Sequence, residues 1–312
     1  ARSSRFRTIR VMRLTEEPLS DGNLSDVLSF VRASNPTAQQ TWGWDGGRFV
    51  DWRWGSNTKA EAADPGWFAE HGRVFRSGGD IAALALAEYG GDEVCILTTA
   101  PNPEAVGAVI EALDARRSDG GVGLRLTVSE SATWLVPVFE RFGFIETPRT
   151  AIEWEYFLAD MPDTVKLPEG FSVETLSDGR SDVYDGIAEC IKRAFDTDRD
   201  VRATLVSLEA NPMFRPDLSV FIRSPDGRVA AYCRGTVDPV NGISAIDPVC
   251  THPDFGRMGL GKAVVQACFR AQRDLGGRFS YIGSAPEPAP STSLYHSLGP
   301  SSRNDFSTWS RS

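Results

Sequence analysis

Apolar and polar residues alternate with period two along residues 6–14, with Ile9, Val11 and Leu14 marking the apolar side, which predicts a strand. A helical stretch follows over 24–33. Residues 73–90 read as two strands around a Gly78-Gly79 turn, and 93–99 as another short apolar strand. Val106, Val109, Ile110 and Leu113 recur at helical spacing inside 103–117. A strand over 124–128 and a short helix over 135–142 complete the first half. The pattern then restarts. A strand over 172–176 leads into a helix over 183–195. A hairpin of 218–223 with 228–236 turns on Ser224-Pro225-Asp226-Gly227. A strand over 244–251 is followed by an amphipathic helix over 260–275, with Leu260, Val264, Cys268, Ala271 and Leu275 on one face and Gly276-Gly277 past its end. A strand over 279–284 and a short helix over 291–298 close the second half.

The halves can be laid over each other. Val-x-Arg-Leu ends at Leu14 and Val-x-Thr-Leu at Leu176, an offset of 162 residues. Val138-Phe139-Glu140-Arg141-Phe142-Gly143 parallels Leu294-Tyr295-His296-Ser297-Leu298-Gly299 at an offset of 156. The small drift between the offsets is what a duplication with short loop changes produces. The Pro- and Gly-bearing stretch 158–170 is the natural boundary, giving domains over 1–160 and 161–312.

Composition bounds the function. A chain of 312 residues, 41% hydrophobic and 24% charged, can bury two cores, and it is neither disordered, collagen-like nor a coiled coil. A net charge of -9 argues against nucleic-acid backbone binding. Arg outnumbers Lys 29 to 4, which reads as coding composition more than as a set of anion sites. The five cysteines form no Cys-x-x-Cys pair and the three histidines lie far apart, so no metal site is expected. Buried thiols in a reducing, cytoplasmic compartment are the simplest reading. No run of 18 apolar residues occurs, so no membrane span is expected. The start, Ala1-Arg2-Ser3, has neither Met nor an apolar leader and reads as a trimmed end.

The strongest chemical signal is the run from Asp247 to Lys262, a strand, a Gly-rich loop and a helix. Gly259 and Gly261 let backbone N–H groups approach an anion, and the helix start adds unpaired N–H groups and a positive dipole end. Arg257 and Lys262 add charge. Taken alone, this is a phosphate cradle or a plain tight turn. It is neither a P-loop nor a dinucleotide fingerprint.

Val249-Cys250-Thr251-His252-Pro253-Asp254-Phe255, followed by Arg257-Met258-Gly259-Leu260-Gly261, resembles the acetyl-CoA motif of the GCN5-related N-acetyltransferase (GNAT) superfamily. Leu294-Tyr295-His296-Ser297-Leu298-Gly299 is similar to that family's Leu-Tyr-x-x-Leu-Gly-Phe ending, at compatible spacing. The tandem arrangement resembles two-domain members such as mycothiol synthase. The resemblance implies a mixed α/β fold used twice, each copy a twisted mixed sheet flanked by helices. It implies an acyltransferase that moves acetyl, or another short acyl group, from CoA to a primary amine of a small molecule by direct attack in a ternary complex. Acetyl-CoA would be the co-substrate, with no metal. The backbone of Val249, Cys250 and Thr251 would pair with the pantetheine arm. The N–H groups of Arg257, Met258, Gly259, Leu260, Gly261 and Lys262 would hold the pyrophosphate. Tyr295 would be the general acid, since a phenol stays protonated at neutral pH. Asp247 is the candidate base, placed on the face of Val249 by period-two alternation. Gly256 stands where the family prefers Gln or Arg, Pro288 where it often has Asn, and Pro300 where it has Phe. The Pro-rich run 284–290 therefore reshapes the loop beside the acyl group. A non-catalytic acyl-CoA-binding or scaffold protein is the alternative.

The first half looks degenerate. Its loop over 99–107 carries Pro101 and Pro103, lacks Gly-x-Gly and basic residues, and Phe139 stands where Tyr295 does. The Trp42, Trp44, Trp52 and Trp54 cluster reads as a hydrophobic plug between domains or as the wall of an acceptor pocket. Cys250 reads as a packed strand cysteine, His252 as a turn-ordering residue, and the Asp196, Asp198, Asp200 loop as a solvated one. His71 and His296 have no evident partners.

Overall fold

The computed structural model describes residues 12–34, 44–55, 65–88, 90–116, 123–178, 183–287 and 289–311. The first half contains β1 (Thr15–Pro18), α1 (Leu24–Ser34), α2 (Gly46–Gly55), α3 (Pro65–His71), β2 (Gly72–Ser77), β3 (Asp80–Leu86), β4 (Glu93–Leu97), α4 (Pro103–Arg116), β5 (Arg125–Ser129), α5 (Val136–Arg141) and β6 (Ile145–Phe157). The second contains β7 (Ser172–Thr175), α6 (Val183–Phe195), α7 (Val201–Leu208), β8 (Ser219–Arg223), β9 (Val229–Asp238), β10 (Ile243–Thr251), α8 (Leu260–Asp274), β11 (Phe279–Ser284), α9 (Pro290–Ser297) and β12 (Ser302–Ser310). Most of the strand expected over 6–14 lies outside the described residues, as does Trp42. Leu14 stands just before β1.

The strands join in one sheet of 12, in the order β1-β2-β3-β4-β5-β12-β6-β11-β10-β9-β8-β7. Read from either edge, this is one pattern: an antiparallel meander of four strands, then a parallel partner, β4 with β5 and β10 with β11. The mixed architecture is thus used twice, as the repeated motifs predict. At the centre the halves trade strands. β12 pairs with β5 of the first half, and β6 pairs with β11 of the second.

The trade extends to the cores. Ile152, Trp154 and Tyr156 of β6 are buried with Val264, Val265 and Phe269 of α8. Tyr156 and Phe269 pack in a tilted pair with ring centres 4.8 Å apart. Reciprocally, Trp309 of β12 packs on Phe139 of α5 at 5.5 Å, inside the first-half core. Each such large side chain contributes about 1.5–3 kcal/mol by leaving water. Neither half can be removed without opening the core of the other.

Helix α2 fastens the halves on one face of the sheet. Its glycines permit close approach: a Cβ on Gly47 would lie 2.3 Å from Thr236 Oγ1, and one on Gly55 2.6 Å from Leu208. Arg32 Nε donates to Asp238 at 2.7 Å across the same seam. No helix among the described residues is long and apolar enough to cross a membrane.

Candidate functional site

β10 and β11 pair in parallel only from Ile243↔Phe279 to Ala245↔Tyr281. Beyond that point they part. β10 stays with β9, and β11 stays with β6. A bulge lies at the point of divergence, because Ile246 faces Gly235 while Val249 faces Cys233, three residues against two. The bulge breaks the alternation on which Asp247 and Val249 would share a face. Ile246 and Val249 both pack toward α8. Asp247 instead lines a cavity of about 420 Å³ between the two halves.

Gly259 caps the start of α8 in the left-handed region, φ +81°, with Arg257 also at positive φ, +66°. The first backbone bond of the helix runs from the Ala263 N–H to the Gly259 carbonyl, 3.1 Å. The N–H groups of Leu260, Gly261 and Lys262 therefore point out of the helix without intrahelical partners. A Cβ on Gly261 would stand 3.1 Å from Thr251 Oγ1, so glycine lets the helix start close to the end of β10. The Lys262 ammonium donates to the Ser297 carbonyl at 2.6 Å, which ties α8 to the end of α9. His252 Nδ1 accepts from the Asp254 N–H at 3.2 Å and its ring meets Phe255, which is the turn-ordering role expected of it. Cys250 is buried under α6 with its sulfur 3.7 Å from that of Cys190. That contact and burial hold its thiol well above the ordinary range.

Tyr295 is buried on α9, and its hydroxyl has no hydrogen-bond partner among the described residues. Burial and the charge of Asp247 push its phenol up, so it stays protonated throughout the physiological range. Asp247 is reached by water yet sits deep in the cavity. Desolvation raises its carboxyl; Arg234 opposes this, while Glu88 and Asp51 add to it.

The cavity draws on both halves. From the first come Trp44, Asp51, Trp52, Glu88 and Glu93, and from the second Thr236, Ala245, Asp247, Tyr281 and Gly283. Trp44 and Trp52 meet edge to face at 5.4 Å, and both also belong to the core beneath α2. These two residues are thus core and cavity wall at once. Asp51 Oδ2 accepts from Arg234 at 2.6 Å and Asp51 Oδ1 from Asn211 at 2.7 Å. Sequence reasoning passed over Asp51, Glu88, Glu93, Glu153 and Arg234. The available signal was charge inside strongly apolar stretches, as in Ile152-Glu153-Trp154-Glu155-Tyr156. His71 and His296 do have partners: His71 stacks on Trp67 at 3.7 Å, and His296 meets the edge of Trp154 at 4.9 Å. Asp200 caps α7 through the Ala203 N–H at 3.0 Å.

The corresponding place in the first half differs. Asn102 Oδ1 accepts from the Ala105 N–H at 3.1 Å, so α4 satisfies part of its own first turn. Phe139 is buried among Phe144 and Trp309 and offers no polar atom.

Residues 184–299 match the model of the acetyltransferase (GNAT) family. Among curated proteins none matches the sequence. Similar solved structures include a tandem GNAT protein from the clavulanic acid biosynthesis pathway, at 16% identity and TM-score 0.61, covering 96% of this chain and 98% of that one. A GCN5-related N-acetyltransferase from Sphaerobacter thermophilus aligns at 15% identity and TM-score 0.55, over 95% of each chain. At these identities the likeness is one of fold, and it extends over both halves.

Proposed function

We propose, from the premise that this chain carries a GNAT-family acetyltransferase domain within a tandem fold, that its second half transfers an acetyl or other short acyl group from CoA to a primary amine of a small molecule. The observation that carries the reading is the opening between β10 and β11. It places Asp247 in a cavity, and the end of β10 lies close to the start of α8, whose first N–H groups have no intrahelical partner. Those N–H groups suit a pyrophosphate, and the close packing of Gly261 on Thr251 forms a cradle that a side chain would fill. Arg257, Met258, Gly259, Leu260, Gly261 and Lys262 would hold the pyrophosphate, and the backbone of Val249, Cys250 and Thr251 the pantetheine arm. The bound thioester supplies the acyl group and a thiolate leaving group.

In this reading Asp247 takes a proton from the attacking ammonium, a task suited to a carboxyl raised above its ordinary value. Tyr295 holds a proton at Oη and gives it to the departing thiolate. Asp247 passes that first proton to water; the nitrogen gains the carbonyl carbon as the carbon–sulfur bond breaks and then sheds a second proton, which balances the one Tyr295 gives to the thiolate, so one proton is released per turnover. The division into domains at residue 160 goes with this reading, and so does a first half that serves as wall and platform without chemistry of its own.

The test is turnover of acetyl-CoA against a panel of primary amines, with Tyr295→Phe beside the wild type. The expected result is a loss of about 10²-fold or more in kcat with CoA affinity unchanged. A wild type that binds CoA and consumes no acetyl-CoA with any amine would leave only a binding role.

A further inference from the structure

Tyr295 holds the proton in the proposed reaction, yet its hydroxyl has no hydrogen-bond partner among the described residues. The aim of the phenol is therefore set by packing and by the placement of α9 itself. The ring is buried in the core that β6 shares with α8. A tyrosine has only two side-chain torsions, so the backbone of α9 decides where Oη can go.

α9 is poorly equipped to hold its own position. It has 8 residues, and Ala289 at its start offers no side-chain cap. So short a helix gains little from its own bonds and depends on what it packs against. Its last four carbonyls have no partner of the regular helical kind. Each receives a donor. Ser297 Oγ donates to the Leu294 carbonyl at 2.7 Å, and the Gly299 N–H to that of His296 at 3.1 Å. Those two bonds are local. The other two carbonyls are reached from outside the helix. Lys262, in the first turn of α8, donates to Ser297 at 2.6 Å. Tyr156, on β6, donates from its hydroxyl to the carbonyl of Tyr295 itself at 3.0 Å, beside the Leu298 N–H at 3.2 Å.

β6 belongs to the first half, so the Tyr156 bond crosses between the copies. Tyr156 is fully buried and its ring packs on Phe269 of α8, which leaves the donor little room to move. Two residues earlier on the same face, the Trp154 indole meets His296 at 4.9 Å. One strand thus touches α9 at consecutive residues. The first half shows the reciprocal arrangement. Arg311, just past β12, donates to the Phe142 carbonyl at the end of α5 at 2.9 Å. There the helix carries Phe139, which has no proton to give.

We infer that Tyr156 is a positioning residue for the proton donor: its hydroxyl, lent by the first half, fixes the main chain of α9 at Tyr295 and so aims Oη at the departing thiolate. Tyr156 touches no reacting atom. The inference rests on the transferase reading for what the aimed phenol does, and on geometry for how it is held. A misplacement of about 1 Å at a reacting group costs up to about 10²-fold in rate, so a partly released α9 should lose about tenfold.

Tyr156→Phe removes the hydroxyl and keeps the ring on Phe269, so the core stays filled. The experiment is a double-mutant cycle on kcat with Tyr295→Phe. Tyr156→Phe alone should lower kcat about tenfold, while KM for acetyl-CoA and for the amine changes by less than about twofold. In the Tyr295→Phe background the same substitution should lower kcat by less than about twofold, because no phenol is left to aim. A merely structural bond would cost the same factor in both backgrounds. That result, or a Tyr156→Phe enzyme with full kcat, would overturn the inference and leave the transferase reading standing. If the wild type turns over no amine, or Tyr295→Phe keeps full kcat, the reading of Tyr295 as the acid fails, and deuterium uptake decides the anchor alone. Faster uptake in Tyr156→Phe over residues 291–299, with none over 261–274, supports it. Uptake that is unchanged over α9, or raised equally over α8, overturns it.

Discussion

Asp51, on a helix of the first half, sets its carboxylate 2.6 Å from the guanidinium of Arg234, on a strand of the second. Arg234 is buried and Asp51 is largely so, and the pair borders the cavity that holds Asp247. Its effect on Asp247 has a definite sign. Arg234 favours the ionised carboxylate and Asp51 disfavours it. Asp51→Asn removes the negative member and leaves the positive one. The Asp247 carboxyl then falls, and the acid limb of the kcat/KM profile moves to lower pH. Leaving Arg234 uncompensated also costs about 3–5 kcal/mol of stability, so the profile is best recorded at low temperature. An acid limb that stays in place would remove Arg234 and Asp51 from the control of Asp247.

A second consequence concerns stability. The folded-state value of Asp247 is raised above its ordinary 3.8 by burial. For a raised carboxyl, the folded chain binds the proton more tightly than the unfolded one. That contribution is complete below pH 3.8 and is lost as pH rises through the folded value. Asp247→Asn keeps the neutral form at every pH. It should therefore leave Tm unchanged near pH 3.5 and raise it by a small amount toward pH 8, since the water that reaches Asp247 screens the effect, and it should lower turnover. A calorimetric Tm increment that is flat across this range would contradict the burial argument.

Much of the fold could be read along the chain, and the missing parts have physical causes. The helices over 183–195 and 260–275 carry clear apolar faces, and the structure has them at Val183–Phe195 and Leu260–Asp274. Strands β6 and β12 escaped the reading. In β6, Pro148 interrupts the alternation, and Glu153 and Glu155 stand where a half-buried strand shows small or neutral polar residues. These are the two strands exchanged at the centre, so the union of the halves into one sheet escaped with them. The turn and helix start at 257–262 were legible because glycine and helix-start signals are local. The acidic wall was not, because Asp51, Glu88, Glu153 and Asp247 are far apart in sequence and meet only through the exchange and the packing of α2 on β9. The face of Asp247 was misjudged for a related reason: a bulge is a property of two strands, and only one was being read.

The exchange itself can be tested. Trp309 belongs to the last strand yet fills the first-half core against Phe139. Trp309→Ala should cost about 3–5 kcal/mol, the usual loss for a buried Trp. Because the cores are shared, the transition should remain single and shift as a whole. A variant in which tryptophan fluorescence and circular dichroism report two separate transitions would show that the halves unfold independently.

The assignment of CoA binding to the second half turns on two glycines. Gly259 starts α8 at φ +81°, a conformation that costs an L-residue about 1–2 kcal/mol. Gly259→Ala should turn the loop and misaim the N–H groups of residues 260–262, raising the KM for acetyl-CoA about tenfold while kcat changes by less than about twofold. Gly107 occupies the matching helix of the first half, where a Cβ would stand 3.1 Å from the end of the Arg141 side chain and in ordinary contact with the Phe142 ring, at 3.4 Å. That end is mobile enough to yield, so Gly107→Ala should leave both constants unchanged. Isothermal titration with CoA gives the same comparison without turnover, with one site per chain expected in the wild type and in Gly107→Ala. Weakened CoA binding in Gly107→Ala, together with normal binding in Gly259→Ala, would move the cofactor to the first half and reverse the roles proposed for the two copies.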